Sequence, residues 1–251
     1  MKVLSTIDPG TWALFTAFWI LMIATALVSG GASVFFNRKK DDWLLDGISL
    51  LVQGALIPLL QVFLVATWLT QFQPDLAKTL VLEPWVAFGL CFVGVDYLYY
   101  WNHRILHTKA LWPVHLVHHT AHQMDVLTTS RNTVWSSLLI VYLWLNGTVV
   151  YLLADPAPYA AAITLTAVLD LWRHSPLNPK GLIRDALGSF LILPRDHAWH
   201  HSQDVYDVNF GANLNWWDKL HGTWHLSQQE PKELGVKTNI SLVSRLLWPF
   251  Q

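Results

Sequence analysis

Cysteine occurs once, at Cys91, and the first 102 residues contain no histidine. A single thiol excludes an intramolecular disulfide framework, a four-thiolate iron–sulfur cluster and any CxxC metal knuckle. Any metal in this chain must therefore be held by nitrogen and oxygen. Charge is scarce as well: Asp, Glu, Lys and Arg make up 13% of the 251 residues, about half the usual globular share. A net charge of -1 gives no case for nucleic acid as a partner. Repeats, low-complexity tracts and Gly/Ser linkers are missing, and so are a dinucleotide fingerprint, a flavin motif and a fused cytochrome segment.

Apolar residues are abundant, at 53%, and fifteen tryptophans suit a surface that lies against lipid headgroups. Long apolar runs occupy 11–36, 43–70, 80–101 and 133–154, with a shorter one at 158–172. A crossing needs roughly 20 apolar residues as helix, so four or five crossings are expected. The first run is too long for a signal-peptide core and has only Lys2 ahead of it, which predicts a retained helix. Pro58 marks a kink, and Asp46, Glu83 and Asp96 are expected to face protein or the interface. With five crossings, fourteen of the sixteen Lys and Arg residues fall on one side, leaving Lys2 and Lys78 on the other. That asymmetry puts both histidine clusters and the C-terminus in the cytoplasm; a four-crossing chain with 133–172 as a shallow hairpin keeps the histidines on the same side. The expected fold class is all-α: a multi-pass transmembrane bundle of four or five helices under a cytoplasmic, histidine-rich helical cap. The expected division is 1–80 as N-terminal membrane helices, 81–225 as the catalytic unit and 226–251 as a C-terminal interfacial tail.

Histidine is concentrated instead of scattered. Six of the twelve lie in 103–122, five in 197–225, and His174 stands between. "HRILH" places His103 and His107 one helical turn apart on one face, if the helix of 80–101 continues. "HLVHH" sets His115, His118 and His119 at i, i+3 and i+4, and "HAWHH" repeats that spacing with His197, His200 and His201. Neutral imidazole suits iron, zinc and copper, and eight such ligands are too many for one ion but appropriate for two. A zinc protease is excluded because HExxH is missing: position 104 is Arg, and "HLVHH" carries Leu at the matching place. A transporter needs ionisable ligands near the bilayer midplane, whereas the apolar runs contain no histidine. A haem pair inside the helical bundle is missing for the same reason. What remains is a redox or Lewis-acid dimetal centre beside lipid.

The order HxxxH, HxxHH, solitary His, HxxHH, flanked by "DYLYYWNHRILH" and "NFGANLNWWDKLHGTW", resembles the fatty acid hydroxylase and sterol desaturase superfamily of membrane di-iron enzymes. The resemblance covers roughly 85 to 225; the first 80 residues are similar only as hydrophobic helices. It implies that His103, His107, His115, His118, His119, His174, His197, His200 and His201 coordinate two irons, with zinc replacing iron when overexpression outruns iron supply. Asp170, four residues before His174, would be a carboxylate ligand or a ligand's partner. Asp96, seven before His103, would accept a ligand's N–H and fix its tautomer. The alternative for each aspartate is a buried acid satisfied by a neighbouring Arg, Trp or Tyr. His221 and His225 are read as local surface residues and His122 is left outside the site. Arg131, Asn132, Asn209 and Asn213 are candidate ligand-support or headgroup contacts without assigned roles, and Trp199 and Trp216 are expected to pack at the interface.

The implied activity is O2-dependent hydroxylation of an unactivated C–H bond in a lipid or other hydrophobic substrate. Desaturation at the same site is the runner-up, and a non-catalytic membrane metal-binding or transport protein is the rival from another class. Without a nucleotide or flavin motif in the chain, electrons would come from NAD(P)H through a separate reductase and a carrier of ferredoxin or cytochrome b5 type.

Overall fold

The computed structural model describes residues 9–250, so Lys2 of the charge count lies outside the described residues. These residues form an all-helical structure with three isolated β-bridges and no β-strand among them. Helix α1 is Pro9–Val28 and α2 is Lys40–Phe72, 33 residues long. Both are long and apolar enough to cross a bilayer. Their side chains suit lipid: Phe15, Trp19, Ile20, Ile23, Leu59, Phe63 and Trp68 are exposed, and Thr25 is the one buried residue of α1. Pro58 follows a π-helical segment, Val52–Leu56, whose wider turn accommodates the missing proline donor within a continuous helix.

Helix α3 spans 84–106 and also passes through a π-helical segment, Leu90–Val95. Its apolar first half packs against α6 (Ala157–Arg173). Its second half, Asp96–Leu106, becomes amphipathic and buries Asp96, Tyr100, His103 and Leu106. The helix therefore does continue past 101 and carries the first histidine pair on its buried face.

The run 133–154 differs from the helix expected of it. Only α5, Val141–Leu152, is α-helical there, preceded by a single 3-10 turn, Ser136–Leu138. At 1.5 Å per residue its 12 residues reach about 18 Å, short of a roughly 30 Å hydrocarbon core. The preceding stretch is irregular because protein groups capture its backbone. Ser49 Oγ donates to Asn132 O at 3.2 Å, Gln53 to Thr133 O, and Gln61 Nε2 to Ser137 O at 3.0 Å. From the C-terminal helix Leu242–Leu247, Leu246 O accepts from Val134 N at 3.0 Å. Non-helical backbone in an apolar setting persists only where such partners satisfy it. Helix α6 returns beside α3 and α1, and the α5–α6 turn is tied to the start of α3 by Leu80 N to Leu152 O (2.8 Å) and Ala154 N to Leu80 O (2.9 Å). Ala87, Cys91, Val95, Val149, Leu153, Tyr159 and Ala162 form the core between them.

Short helices, together termed the cap below, pack around the histidine-bearing ends of α3 and α6: α4 (Trp112–Leu116), α7 (Gly181–Gly188), α8 (Pro194–His200) and α9 (Trp216–His221). Residues 233–236 strap across it, with Gly235 N donating to His201 O at 3.1 Å and Val236 N to His119 O at 2.6 Å. Gly235 takes φ 81°, and a Cβ there would stand 2.5 Å from Ala121 O, so the close crossing requires glycine.

Candidate metal centre

Five elements deliver the histidines. His103 and His107 come from the C-terminal end of α3; His115 from α4; His118 and His119 from a 3-10 turn, His118–Thr120, directly after it. His174 caps the end of α6, and His197, His200 and His201 come from α8 and its C-terminus. Helix α8 starts sharply because Pro194 follows Leu193, whose N–H donates to the Asp196 carboxylate at 3.0 Å.

The nine side chains converge in two groups. His103, His107, His115, His119 and His200 form one, and His118, His174, His197 and His201 the other. Within each group the potential ligand atoms lie within 4.8 Å of one another. Eight of the nine are buried and His107 nearly so. Several inward nitrogens sit Nε2 to Nε2: His103 with His115 at 3.0 Å, His174 with His197 at 3.0 Å, His197 with His201 at 3.2 Å and His118 with His174 at 3.4 Å. Ligands about 2.1 Å from one ion are separated by about 3.0 to 3.4 Å at octahedral or tetrahedral angles, so these spacings fit imidazoles around a cation. Nε2 of His107, His119 and His200 is buried without a hydrogen-bond partner, which the same cation would satisfy.

Five outward nitrogens are held by acceptors that fix the tautomer, while Nδ1 of His115, His197 and His201 is buried without a hydrogen-bond partner. Nδ1 of His103 donates to Phe210 O (2.8 Å), that of His200 to Val208 O (2.7 Å) and that of His118 to Arg131 O (3.2 Å). His174 Nδ1 donates to Asp170 O at 2.8 Å, and His107 Nδ1 to Asp207 Oδ1 at 3.2 Å. Each bond leaves the Nε2 lone pair pointing into the group. Burial, followed by repulsion from neighbouring imidazoles, keeps the rings neutral: His107, His118 and His200 are pushed down to about 3. Burial also holds His103, His115, His119, His197 and His201 well below the ordinary range. Neutral imidazole is the metal-binding form.

The two aspartates divide. Asp96 meets no histidine; its carboxylate accepts from Asn213 N (2.7 Å), Leu214 N (3.1 Å) and Trp217 Nε1 (2.8 Å). The expected bond from Asp96 to a ligand's N–H is therefore replaced by an anchor on the loop after the last histidine box, because backbone donors and a tryptophan reach the carboxylate first. Asp170 belongs to neither histidine group. Its side chain pairs with Arg173 at 2.5 Å and approaches His174 Nδ1, the outward nitrogen, at 3.4 Å. It stands behind His174, on the side away from the other imidazoles.

His221 stacks on Tyr97 and Tyr100, His225 lies against Trp199, and His122 meets Leu234 O, all outside both groups. Asn209 bridges Asp196 O and the His225 backbone, and Asn213 Nδ2 donates to Thr166 at 2.8 Å. Arg131 is 2% exposed and ion-paired to Asp46 and Asp42, which leaves no guanidinium free for a headgroup. Trp199 Nε1 donates to Gln229 O at 2.8 Å, and Trp216 is exposed on the cap. The supporting carbonyls of 208 and 210, and Asp207, escaped sequence reasoning because any residue type supplies a carbonyl; only the two left-handed residues Asp207 and Asn209 mark the loop as special, and backbone angles are not spelled in a sequence.

Between α3, α5 and α6 lies a cavity of about 160 Å³, whose lining residue Asp170 also contacts His174. Its walls include Val95, Leu143, Ile163 and Ala167, with Tyr99, Tyr142, Asp170 and Arg173 as polar members. Tyr99 in turn lies 5.3 Å from the His103 ring. The lining is mainly apolar.

A helical chain with two long apolar helices and nine converging imidazoles has the makings of a membrane-associated metalloprotein. The family model described as fatty acid hydroxylase matches residues 88–223, more than half of the sequence, and the chain belongs to that family. Alkylglycerol monooxygenase of Homo sapiens is 30% identical over 155 residues, covering 59% of this chain and 32% of that protein. Ornithine lipid hydroxylase OlsE of Rhizobium tropici is 33% identical over 172 residues, 66% of this chain and 50% of that protein. Methylsterol monooxygenase 1 of Rattus norvegicus is 28% identical over 171 residues, 59% of this chain and 50% of that protein. The chain thus spans about a third to a half of the length of these relatives. No solved structure matches it.

Proposed function

We propose that this protein is a membrane oxygenase that hydroxylates an unactivated C–H bond of a lipid or similarly apolar substrate, with one iron in each histidine group. The observation that carries the reading is the convergence of nine largely buried imidazoles near a mainly apolar cavity, whose lining residues Tyr99 and Asp170 touch His103 and His174. Bound iron would supply O2 activation and removal of the substrate hydrogen. The chain's own residues do the rest. Carbonyls at 131, 170, 208 and 210 hold the rings with Nε2 inward. Burial keeps His103, His118 and His200 unprotonated, and apolar side chains of α3, α5 and α6 receive the chain of the substrate. The family's named monooxygenases and hydroxylases of alkylglycerol, ornithine lipid and methylsterol support a hydrophobic substrate.

In this reading α1 and α2 are crossings, α3 with α5 and α6 embeds the cavity at membrane depth, and the substrate arrives sideways from the bilayer through the apolar wall. The Lys and Arg asymmetry puts the histidine cap on the cytoplasmic side, where a reductase and small carrier can deliver electrons from NAD(P)H. Residues 81–225 are the catalytic unit. The helix Leu242–Leu247, with Val243, Leu247 and Trp248 exposed, lies at the headgroups. Lipid analysis of a host expressing the protein, beside a His118→Ala control, tests the activity. A lipid that gains one oxygen only with the intact protein is expected. A lipid that instead loses two hydrogens would make the enzyme a desaturase, and unchanged lipids with bound metal would favour a non-catalytic metal protein.

A further inference from the structure

In each histidine group a backbone carbonyl accepts from a ligand's outward nitrogen, and the loop or residue that carries that carbonyl is anchored through its N–H groups or guanidinium by a different buried carboxylate. On the five-histidine side, the carbonyls of Val208 and Phe210 receive His200 and His103. The loop that presents them bends through Asn209 at φ 54°, an uncommon conformation for a residue with a side chain. Asp218, fully buried, fixes that bend: Oδ1 accepts from Phe210 N and Thr223 Oγ1, both at 2.7 Å, and Oδ2 from Gly211 N at 2.8 Å. On the four-histidine side, Arg131 O receives His118. The Arg131 guanidinium is clamped by Asp46, with Nε to Oδ1 at 2.6 Å and Nη2 to Oδ2 at 2.9 Å, and Nη1 reaches Asp42 at 3.0 Å. Arg38 bridges Asp46 to Asp125 and completes a buried network. Asp42 and Asp46 lie in α2, outside the stretch 88–223 matched by the family.

We propose that Asp218 and Asp46 are positioning residues with separate clients: Asp218 sets the five-histidine group through the 208–211 loop, and Asp46 sets the four-histidine group through Arg131. Helix α2 would then be part of one metal site and not of the other. This rests on the reading that each group holds one ion. Partners behind a metal ligand typically change affinity by about 10- to 100-fold, and here the effect is confined to one ion.

The test loads full-length wild type, Asp218→Asn and Asp46→Asn with Zn2+, follows its loss to a chelator, and locates the remaining ion by anomalous scattering or density. The five-histidine ion is expected to be lost about 10- to 100-fold more readily in Asp218→Asn, with the four-histidine ion unchanged. Asp46→Asn gives the converse. Thr223→Val and Asp42→Ala each remove one contact from an anchor while leaving Asp218 and Asp46 in place, and they give the same one-sided loss, smaller in size, should a stronger variant fail to fold. Both ions weakening together in a folded variant, or both holding as in wild type, would overturn the proposal. A wild type that never holds two ions defeats the two-metal reading itself, which separates the two failures.

Discussion

At the residue scale, the decisive chemistry is that of neutral imidazole. His107, His118 and His200 stand in the two groups, while the apolar helices that anchor the chain contain none of them. Replacing any of the three by Ala is expected to abolish turnover while the protein still inserts, because loss of a ligand removes metal and not apolar surface. Full activity in a membrane fraction of one variant would remove that residue from the site. Acid acts on the same rings. In metal-free protein they are depressed, to about 3 for His107, His118 and His200, against about 6.5 in the unfolded chain. The unfolded chain therefore binds more protons between those values, so stability is present above that window and falls as pH drops through it, by up to about 1.4 kcal/mol per pH unit for each proton taken up. Metal-free protein should melt at a lower temperature near pH 5 than near pH 7.5; a melting temperature that holds or rises on acidification would contradict the buried neutral state.

At the element scale, the histidine boxes were legible because 3- and 4-residue spacing is a helical signature, and α3 and α8 honour it. His118 and His119 show where the reading reaches its limit: their turn is 3-10, yet adjacent residues i+3 and i+4 still diverge into different groups, a split that spacing alone does not dictate. The run 133–154 was misleading for a different reason. Apolar composition predicts helix there, but Ser49, Gln53 and Gln61, some 80 residues away along the chain, hydrogen-bond its first part, and such long-range capture leaves no local mark. Asp96 and His103 are both buried on α3, but the partners of Asp96 come from the 213–217 loop, which only the folded chain brings near. The α3–α5–α6 arrangement carries its own test. Ala167→Phe fills part of the cavity lined by Ile163 and Leu143; turnover should fall on the order of tenfold to a hundredfold with both metals retained. Unchanged turnover would move the substrate elsewhere.

At the scale of the whole molecule, composition announced a membrane protein, and two helices of the described chain have the length and apolarity for crossing. The proposed cytoplasmic placement of the histidines rests on the Lys and Arg distribution, and it is testable because Cys91 is the single thiol and is buried. In sealed cells, a cysteine introduced at Ser227 in a Cys91→Ala background should resist an impermeant thiol reagent until the membrane is opened, whereas one at Thr79 should react at once. The reverse pattern would place the histidine cap outside. What unites cap and bundle is the pair of imidazole groups at their junction, and metal content tests it most directly. Purified full-length protein, analysed for iron and zinc with the ions located by anomalous scattering, should hold two metals per chain, one among His103, His107, His115, His119 and His200 and one among His118, His174, His197 and His201. A single metal per chain, or ions held instead by His221 and His225, would contradict the two-metal centre.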